Sequence, residues 1–429
     1  MEYGLIGEKL GHSFSKDIHA LIGKYDYELK EIVNTDLPAF LEQKAFKGIN
    51  VTIPYKQDVI PFLNSIDKPA EEIGAVNTVV NKDGKLSGYN TDFIGLKRLI
   101  LSQGLKLDGK KVLILGTGGT SKTARAVAKA LNAKTILTVS RSVKASDEKV
   151  GDDKNNSILQ PVISYQDAAT LHKDCDIIIN TTPCGMFPKI DDSPIELSPF
   201  TKLSGVIDVI YNPLRSLLVL QAQEKNIIAA GGLYMLVQQA IAASEYFFDT
   251  TYSDDEADRI YKTILNKKQN IVLVGMPGSG KTTVGKKLAE KLKRKFFDTD
   301  IIITEKEGST PADIIRTKGE EVFRDIESTV CRELASEQGV IISTGGGAIL
   351  RKENVLNLKK NGLLFFIDRP LEAIKPTKDR PLSSSEDKLR QVYEYRYPIY
   401  TRDADYHIVS DNIIEHTIDK ILEHFYKEN

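Results

Sequence analysis

The stretch Gly275-Met276-Pro277-Gly278-Ser279-Gly280-Lys281-Thr282-Thr283 constrains this chain more than any other. It follows an apolar run, Ile271-Val272-Leu273-Val274, and precedes an amphipathic run over 284–292, so it reads as strand, glycine loop and helix. Gly275, Gly280, Lys281 and Thr282 fit G-x-x-x-x-G-K-[ST], the phosphate-binding P-loop. Glycines let successive backbone N–H groups turn onto the phosphates, and the helix N-terminus adds partial positive charge. Gly278, Ser279, Gly280 and Thr283 then cradle ATP, Lys281 reaches its β/γ-phosphates and the Thr282 hydroxyl ligates Mg²⁺.

A nucleotide site beginning near residue 270 leaves a long N-terminal segment to explain. At 429 residues the chain is too long for one ordinary core, and two or three domains are expected. Its 58 basic and 59 acidic residues leave a net charge of −1, so neither a nucleic-acid nor a membrane partner is expected. Cys175, Cys184 and Cys331 have no metal-ligand spacing and offer no disulfide framework, which points to a reducing cytoplasm. Met1-Glu2-Tyr3-Gly4 lacks the basic and apolar regions of a signal peptide, and no run approaches the roughly 20 apolar residues of a membrane span.

Residues 1–104 alternate short apolar runs with helical stretches, as an α/β domain does. Strands are expected at 3–6, 27–33, 48–53 and 76–80, helices at 15–23, 37–46 and 56–62, and a hairpin turn at 81–85. A second α/β unit follows, with strands at 112–115, 135–139, 177–180 and 205–209 and a helix at 121–131. The polar stretch 144–157 is expected to be a solvated excursion. Helices at 232–248 and 254–265 close this part, residues 266–269 form a polar linker, and the P-loop domain occupies 270–429.

Gly116-Thr117-Gly118-Gly119-Thr120-Ser121 lies between a strand and a helix and matches G-x-G-x-x-G/A, with Ser121 in the last small position. An NAD site has an acidic residue about 20 positions on, bonded to the ribose 2′-hydroxyl. Here stand Ser140-Arg141-Ser142, with Lys144 close behind. Two cations and two hydroxyls suit a 2′-phosphate, which a carboxylate would repel. The expected cofactor is NADP(H).

Seven segments resemble shikimate dehydrogenase, in that family's order. They are 11–15 (GHSFS), 50–56 (NVTIPYK), 74–78 (GAVNT), 88–92 (GYNTD), 180–183 (NTTP), 208–213 (DVIYNP) and 232–240 (GLYMLVQQA). The resemblance covers 1 to about 265 and implies a substrate domain, 1–104 with 233–265, around a Rossmann domain, 105–232. It implies reduction of 3-dehydroshikimate to shikimate by NADPH in the cleft between them, with Gly232 at the cofactor and a homodimer through this half. The residues make chemical sense in those roles. Ser13 and Ser15 can hydrogen-bond a carboxylate, and Thr52, Asn77, Tyr211 and Gln239 offer neutral partners for ring hydroxyls. Lys56 with Asp92 forms an acid/base pair, worth roughly 10²–10⁴-fold when positioned. His12 and His19 read as structural. Two positions depart from the family: Ser121 replaces glycine or alanine, and Lys144 replaces an arginine. Recognition of the 2′-phosphate then rests chiefly on Arg141, because lysine binds phosphate as a point charge.

After the P-loop come 297–300 (FDTD), 322–327 (VFRDIE), 343–348 (STGGGA), 379–382 (DRPL) and 395–398 (YRYP), which together resemble shikimate kinase over 270–429. Asp298 and Asp300, two apart at a strand end, share a side if the extended geometry persists. One can approach Mg²⁺ and the other the attacking hydroxyl; the resemblance gives Asp300 the substrate and leaves Asp298 to the metal. Arg324 and Arg396 can clamp a carboxylate, and Glu327, three positions after Arg324, can orient it. The run Gly345-Gly346-Gly347 lets backbone approach the substrate. Arg380, in the serine- and charge-rich stretch 375–387, suits a lid that brings a cation onto the transferring phosphoryl group.

The first resemblance creates the 3-hydroxyl of shikimate and the second phosphorylates it. The expectation is an α/β, bifunctional enzyme for consecutive steps. The alternatives are a quinate/shikimate dehydrogenase of broader specificity, a nucleoside-monophosphate-type kinase in the second half, and a non-enzymatic, nucleotide-gated binding module.

Overall fold

Val112 to Leu115 and Ile177 to Ile179 are unbroken runs of aliphatic residues with no accessible surface, the pattern of strands covered on both faces. In a computed structural model of the chain, which describes residues 1–11, 14–143, 149–150, 161–374 and 385–428, both lie near the centre of a seven-stranded sheet. From one edge its strands are Ile228–Ala230, Gly205–Asp208, Ile177–Asn180, Lys111–Leu115, Thr135–Val139, Pro161–Ile163 and Lys149–Val150. All neighbours are parallel except the last pair. Chain order reverses at Lys111–Leu115, and this strand runs directly into Gly116. The glycine loop therefore stands at the topological switch point, where open α/β sheets bind ligands.

A six-stranded mixed sheet precedes it, in the order Glu28–Glu31, Tyr3–Gly7, Gly48–Val51, Thr78–Lys82, Lys85–Tyr89, Ser65–Ile66. The helices Thr91–Ser102 and Leu233–Phe248 meet closely: a β-carbon on Gly95 would lie 2.5 Å from the Met235 carbonyl oxygen. Only glycine admits that approach, and it brings Asp92 of one helix and Gln239 of the other to the same cleft.

The third sheet is wholly parallel, Phe296–Asp298, Ile341–Ser343, Asn270–Val274, Gly362–Asp368 and Tyr406–Val409. Its first strand in sequence, Asn270–Val274, is central and ends at the P-loop. The chain divides into two compact units, Met1–Ile264 and Leu265–Asn429. This is the expected α/β architecture with a Rossmann sheet and a P-loop sheet.

Local expectations fail where one bond or one residue decides. The stretch 56–62 forms turns and a short 3₁₀ helix, Ile60–Phe62, rather than a helix throughout. Pro61 has no N–H to give the Gln57 carbonyl, which takes Ile60 N–H instead. The strand expected at 76–80 starts at Thr78, because Val76 N–H donates to Lys56 O, outside the sheet. The linker at 266–269 is mostly helix: Asp254–Lys268 runs on without a break, and Lys267 and Lys268 suit its C-terminal dipole. Helix Thr91–Ser102, absent from the expectation, is capped by Asn90, whose side chain accepts from Phe93 N–H.

Candidate active sites

In the first unit a cleft of about 460 Å³ is lined from both α/β parts. Lys56 Nζ donates to Asp92 Oδ2 at 2.5 Å. Asp92 lies in the first turn of Thr91–Ser102, where the helix dipole favours its charge. The Asn77 side-chain oxygen accepts from Thr91 N–H at 2.7 Å and is 5% exposed, so the asparagine is fixed before any ligand arrives. Ser15, Thr52, Tyr211 and Gln239 line the same cleft. Burial raises the Tyr211 phenol above its ordinary range and keeps it a neutral donor. Ser13 lies outside the described residues.

His19 also borders the cleft, stacked on Tyr27 with ring centroids 3.7 Å apart and hydrogen-bonded through Nδ1 to the Tyr25 hydroxyl. Burial pushes its pKa down to about 3, so it is a neutral ring. Tyr27 in turn donates to Asn50 Oδ1 at 2.7 Å, and Asn50 Nδ2 donates to Thr78 Oγ1 at 3.0 Å.

At the first glycine loop, Gly116 has φ +102°, and Gly118 caps the helix Gly119–Ala130 that contains Thr120 and Ser121. A β-carbon on Gly118 or Gly119 would meet nothing within 4 Å, so the loop presents bare backbone to open space. Ser121 is 2% exposed, and its hydroxyl has no hydrogen-bond partner among the described residues. Ser140 Oγ and Ser142 Oγ are 2.8 Å apart, and Arg141 between them is exposed. Gly232 lies against the Val209 backbone, where a β-carbon would collide with the Val209 carbonyl. Lys144 is outside the described residues.

The second unit holds a pocket of about 440 Å³ over its P-loop. Gly278 (φ +86°) and Gly280 (φ +94°) adopt the left-handed backbone that turns the loop. Lys281 Nζ donates to the Gly275 and Met276 carbonyls at 2.9 Å each, lying across its own loop. Ser279 is buried in the loop, and Thr283 lines the pocket. Thr282 Oγ1 donates to Asp298 Oδ2 at 2.7 Å.

The extended geometry expected for Asp298 and Asp300 does not persist. Asp298 ends its strand and caps the helix Thr299–Glu307, accepting from Asp300 N–H at 3.0 Å, and Asp300 sits in that helix's first turn. Both still line the pocket, because the cap turns the chain there.

Arg324 Nη1 donates to Glu327 Oε2 at 2.6 Å and Nη2 to Glu320 Oε1 at 2.9 Å. Burial pushes the Glu327 carboxyl up against the pull of Arg324, and Asp300 nearby pushes it the same way. Arg396 Nη1 donates to Gly346 O at 3.0 Å, and the Tyr400 hydroxyl bonds the same oxygen. Gly345 faces Glu327 Oε1 and Asp300 Oδ1, which a β-carbon would approach to 2.6 and 2.7 Å. Gly347 faces the Arg324 guanidinium. Arg380 and residues 375–384 around it are outside the described residues.

Comparison with known proteins follows the same division. A family model described as shikimate dehydrogenase substrate binding domain matches residues 5–79. Another, described as shikimate kinase, matches 277–426. A shikimate dehydrogenase (NADP(+)) of Clostridium beijerinckii is 36% identical over 273 residues, 62% of this chain and 98% of that protein. The chain belongs to the shikimate dehydrogenase family. A solved chorismate mutase/shikimate 5-dehydrogenase fusion protein from Clostridium acetobutylicum is 37% identical at a TM-score of 0.55, covering 61% of this chain and 96% of that one. Shikimate dehydrogenase 1 of Peptoclostridium difficile is 34% identical at 0.54, covering 61% and 97%. Beyond the dehydrogenase-family segment lies a shikimate kinase domain, and together they make the protein a bifunctional enzyme of the shikimate pathway.

Three groups at the shikimate dehydrogenase and kinase clefts escaped the sequence reading. Lys9 and Met186 line the dehydrogenase cleft, and Arg369 lines the kinase pocket, donating to the Gly278 carbonyl at 3.3 Å. Arg369 directly follows the strand Gly362–Asp368, so a cation at a parallel strand's carboxyl end was its available signal. Among the described residues no helix is long and apolar enough to cross a membrane. No group of three or more His, Cys, Asp or Glu among them is arranged for a metal. A Mg²⁺ carried on nucleotide phosphates needs only one or two protein oxygens.

Proposed function

We propose that the protein reduces 3-dehydroshikimate to shikimate with NADPH in the first cleft, and phosphorylates the resulting 3-hydroxyl with Mg·ATP in the second. The observation that carries this is a pairing on one chain: a Lys56–Asp92 ion pair in one cleft, and a P-loop facing two aspartates and two arginines in another.

In the first cleft Ser13, Ser15, Thr52, Asn77, Tyr211 and Gln239 hold the substrate by its carboxylate and hydroxyls. NADPH supplies the hydride when bound. Lys56 Nζ gives its proton to the ketone oxygen as negative charge gathers there, and Asp92 keeps the ammonium aimed. The bare backbone at Gly118 and Gly119 fits a pyrophosphate, with Gly116, Thr120 and Ser121 shaping the loop and Gly232 also at the cofactor. Ser140, Arg141, Ser142 and Lys144 select the 2′-phosphate, hence NADP over NAD.

In the second pocket Arg324 and Arg396 grip the substrate carboxylate beside Gly346 and Gly347, and Asp300 accepts the hydroxyl proton. The hard oxygens of Thr282 and Asp298, 2.7 Å apart, suit Mg²⁺, which neutralises phosphate charge when bound. Lys281 and the loop N–H groups from Gly278 to Thr283 hold the phosphates, and Arg380 closes over the transferring group. We read the protein as cytoplasmic, with free thiols at Cys175, Cys184 and Cys331, and as pairing into a homodimer through its dehydrogenase half.

A coupled assay with 3-dehydroshikimate, NADPH and Mg·ATP tests the reading. NADPH loss together with formation of shikimate 3-phosphate is expected. Oxidation of NADPH without phosphorylated product, with AMP or CMP accepted instead, would replace the kinase assignment. Faster turnover of quinate with NAD⁺ would replace the dehydrogenase one.

A further inference from the structure

The ionisable groups around the dehydrogenase cleft do not balance. Its described lining contains Lys9, His19, Tyr27, Lys56, Asp92 and Tyr211. Lys56 and Asp92 form an ion pair and cancel. His19 is neutral, its pKa pushed down to about 3 by burial, and burial likewise keeps Tyr27 and Tyr211 protonated. One charge is left, on Lys9. It is exposed at the cleft and makes no ion pair or hydrogen bond to any described residue. Glu8, the adjacent acid in the chain, is exposed and does not line the cleft, and neither does Glu31, which is engaged by Leu10 N–H at 2.8 Å. The other polar lining groups, Ser15, Thr52, Asn50, Asn77 and Gln239, are neutral.

We propose that Lys9 is the cation that draws the substrate's carboxylate into the dehydrogenase cleft and favours anionic over uncharged ring substrates. This rests on the reading that the cleft takes a cyclohexene carboxylate. A neutral set of hydroxyls and amides fixes the orientation of a carboxylate but does little to attract it from a distance. A single like-signed field in a cleft with low-dielectric walls does so, and salt screens it over about 10 Å at 0.1 M. Lys9 is a binding group and takes no part in proton transfer, so its loss falls on KM and leaves the chemistry at Lys56 intact.

The test uses the full-length protein. Lys9→Gln should raise KM for shikimate about fivefold, the ratio for a solvent-exposed charge pair, with kcat held within about twofold. Lys9→Arg should restore the KM, and Lys9→Glu should raise it further. Between about 20 and about 300 mM salt, the KM of the unaltered protein should climb while that of Lys9→Gln stays nearly flat. The uncharged methyl ester of shikimate should be used equally by both. Unchanged kcat and NADP⁺ affinity in the same preparations report that the dehydrogenase half is folded. An unchanged KM and salt slope in both Lys9→Gln and Lys9→Glu would overturn the inference, with shikimate oxidation itself untouched. Absence of shikimate oxidation in the unaltered protein would instead overturn the functional reading beneath it.

Discussion

A β-carbon on Gly347 would fall within the guanidinium of Arg324, so the tripeptide of glycines and the arginine occupy one another's space. Arg324 has nowhere to retreat, because Glu327 at 2.6 Å and Glu320 at 2.9 Å hold both of its terminal nitrogens. Gly347→Ala should therefore displace Arg324, the group proposed to hold the substrate carboxylate, without touching the P-loop. We expect KM for shikimate in the kinase reaction to rise about tenfold or more, equivalent to roughly 1.4 kcal/mol. KM for ATP and the dehydrogenase rate should hold. Steady-state kinetics of both reactions on one preparation checks this, and a rise confined to KM for ATP would contradict it.

The two activities should come apart on single substitutions. Lys56→Ala removes the group proposed to protonate the ketone oxygen, and dehydrogenase turnover should fall about 10²–10⁴-fold while kinase turnover stays. Lys281→Ala should do the reverse, abolishing phosphoryl transfer and sparing NADPH oxidation. Loss of both activities in either variant, with the fold intact by circular dichroism, would be incompatible with two separate sites.

Much of this was legible in the sequence for a physical reason. A P-loop and a Rossmann turn each need glycines at fixed offsets between a strand and a helix, so Gly116 and Gly280 announce both the backbone and its neighbours. What was not legible depends on partners far along the chain. Nothing local says that Val76 gives its N–H to Lys56, or that Asp298 both ends its strand and caps a helix. Lys9 reads as any surface lysine until the fold sets it on the cleft that Lys56 and Asp92 also line.

Arg324 and Glu327 make a further prediction about stability. Glu327 is 0% exposed and Arg324 6%, so deleting the arginine would strand a carboxylate with no solvent to take it. Arg324→Met should cost about 3–5 kcal/mol in the kinase domain, the usual cost of breaking a buried pair. The double variant Arg324→Met, Glu327→Leu should recover much of that loss while remaining inactive as a kinase. Denaturant melts followed alongside NADPH binding separate the two halves. Equal stabilities for the single and double variants would remove the argument.

Two buried groups in the first unit should oppose each other in pH. His19, held near a pKa of about 3 by burial, contributes stability above its unfolded value of 6.5 that is lost as pH falls. Asp208 is raised by burial to about 6 from 3.8, although Ser216, the Ile210 N–H and Asn180 all hydrogen-bond it. Its contribution is present at low pH and is lost as pH rises through that value. Between about pH 4 and 6 the folded state holds one proton more at Asp208 and the unfolded state one more at His19, so the two slopes cancel. Removing either group exposes the other. Relative to the unaltered protein, Asp208→Asn should make stability rise with pH across this window by about 1.4 kcal/mol per unit. His19→Phe, which keeps a ring on Tyr27, should make it fall by about the same amount. Urea melts at half-unit steps measure both slopes. If the two variants changed slope in the same direction, one of the buried groups would have to be ionised in the fold rather than neutral as argued here, and the neutral His19 on which the charge balance of the cleft depends would be the first to reconsider.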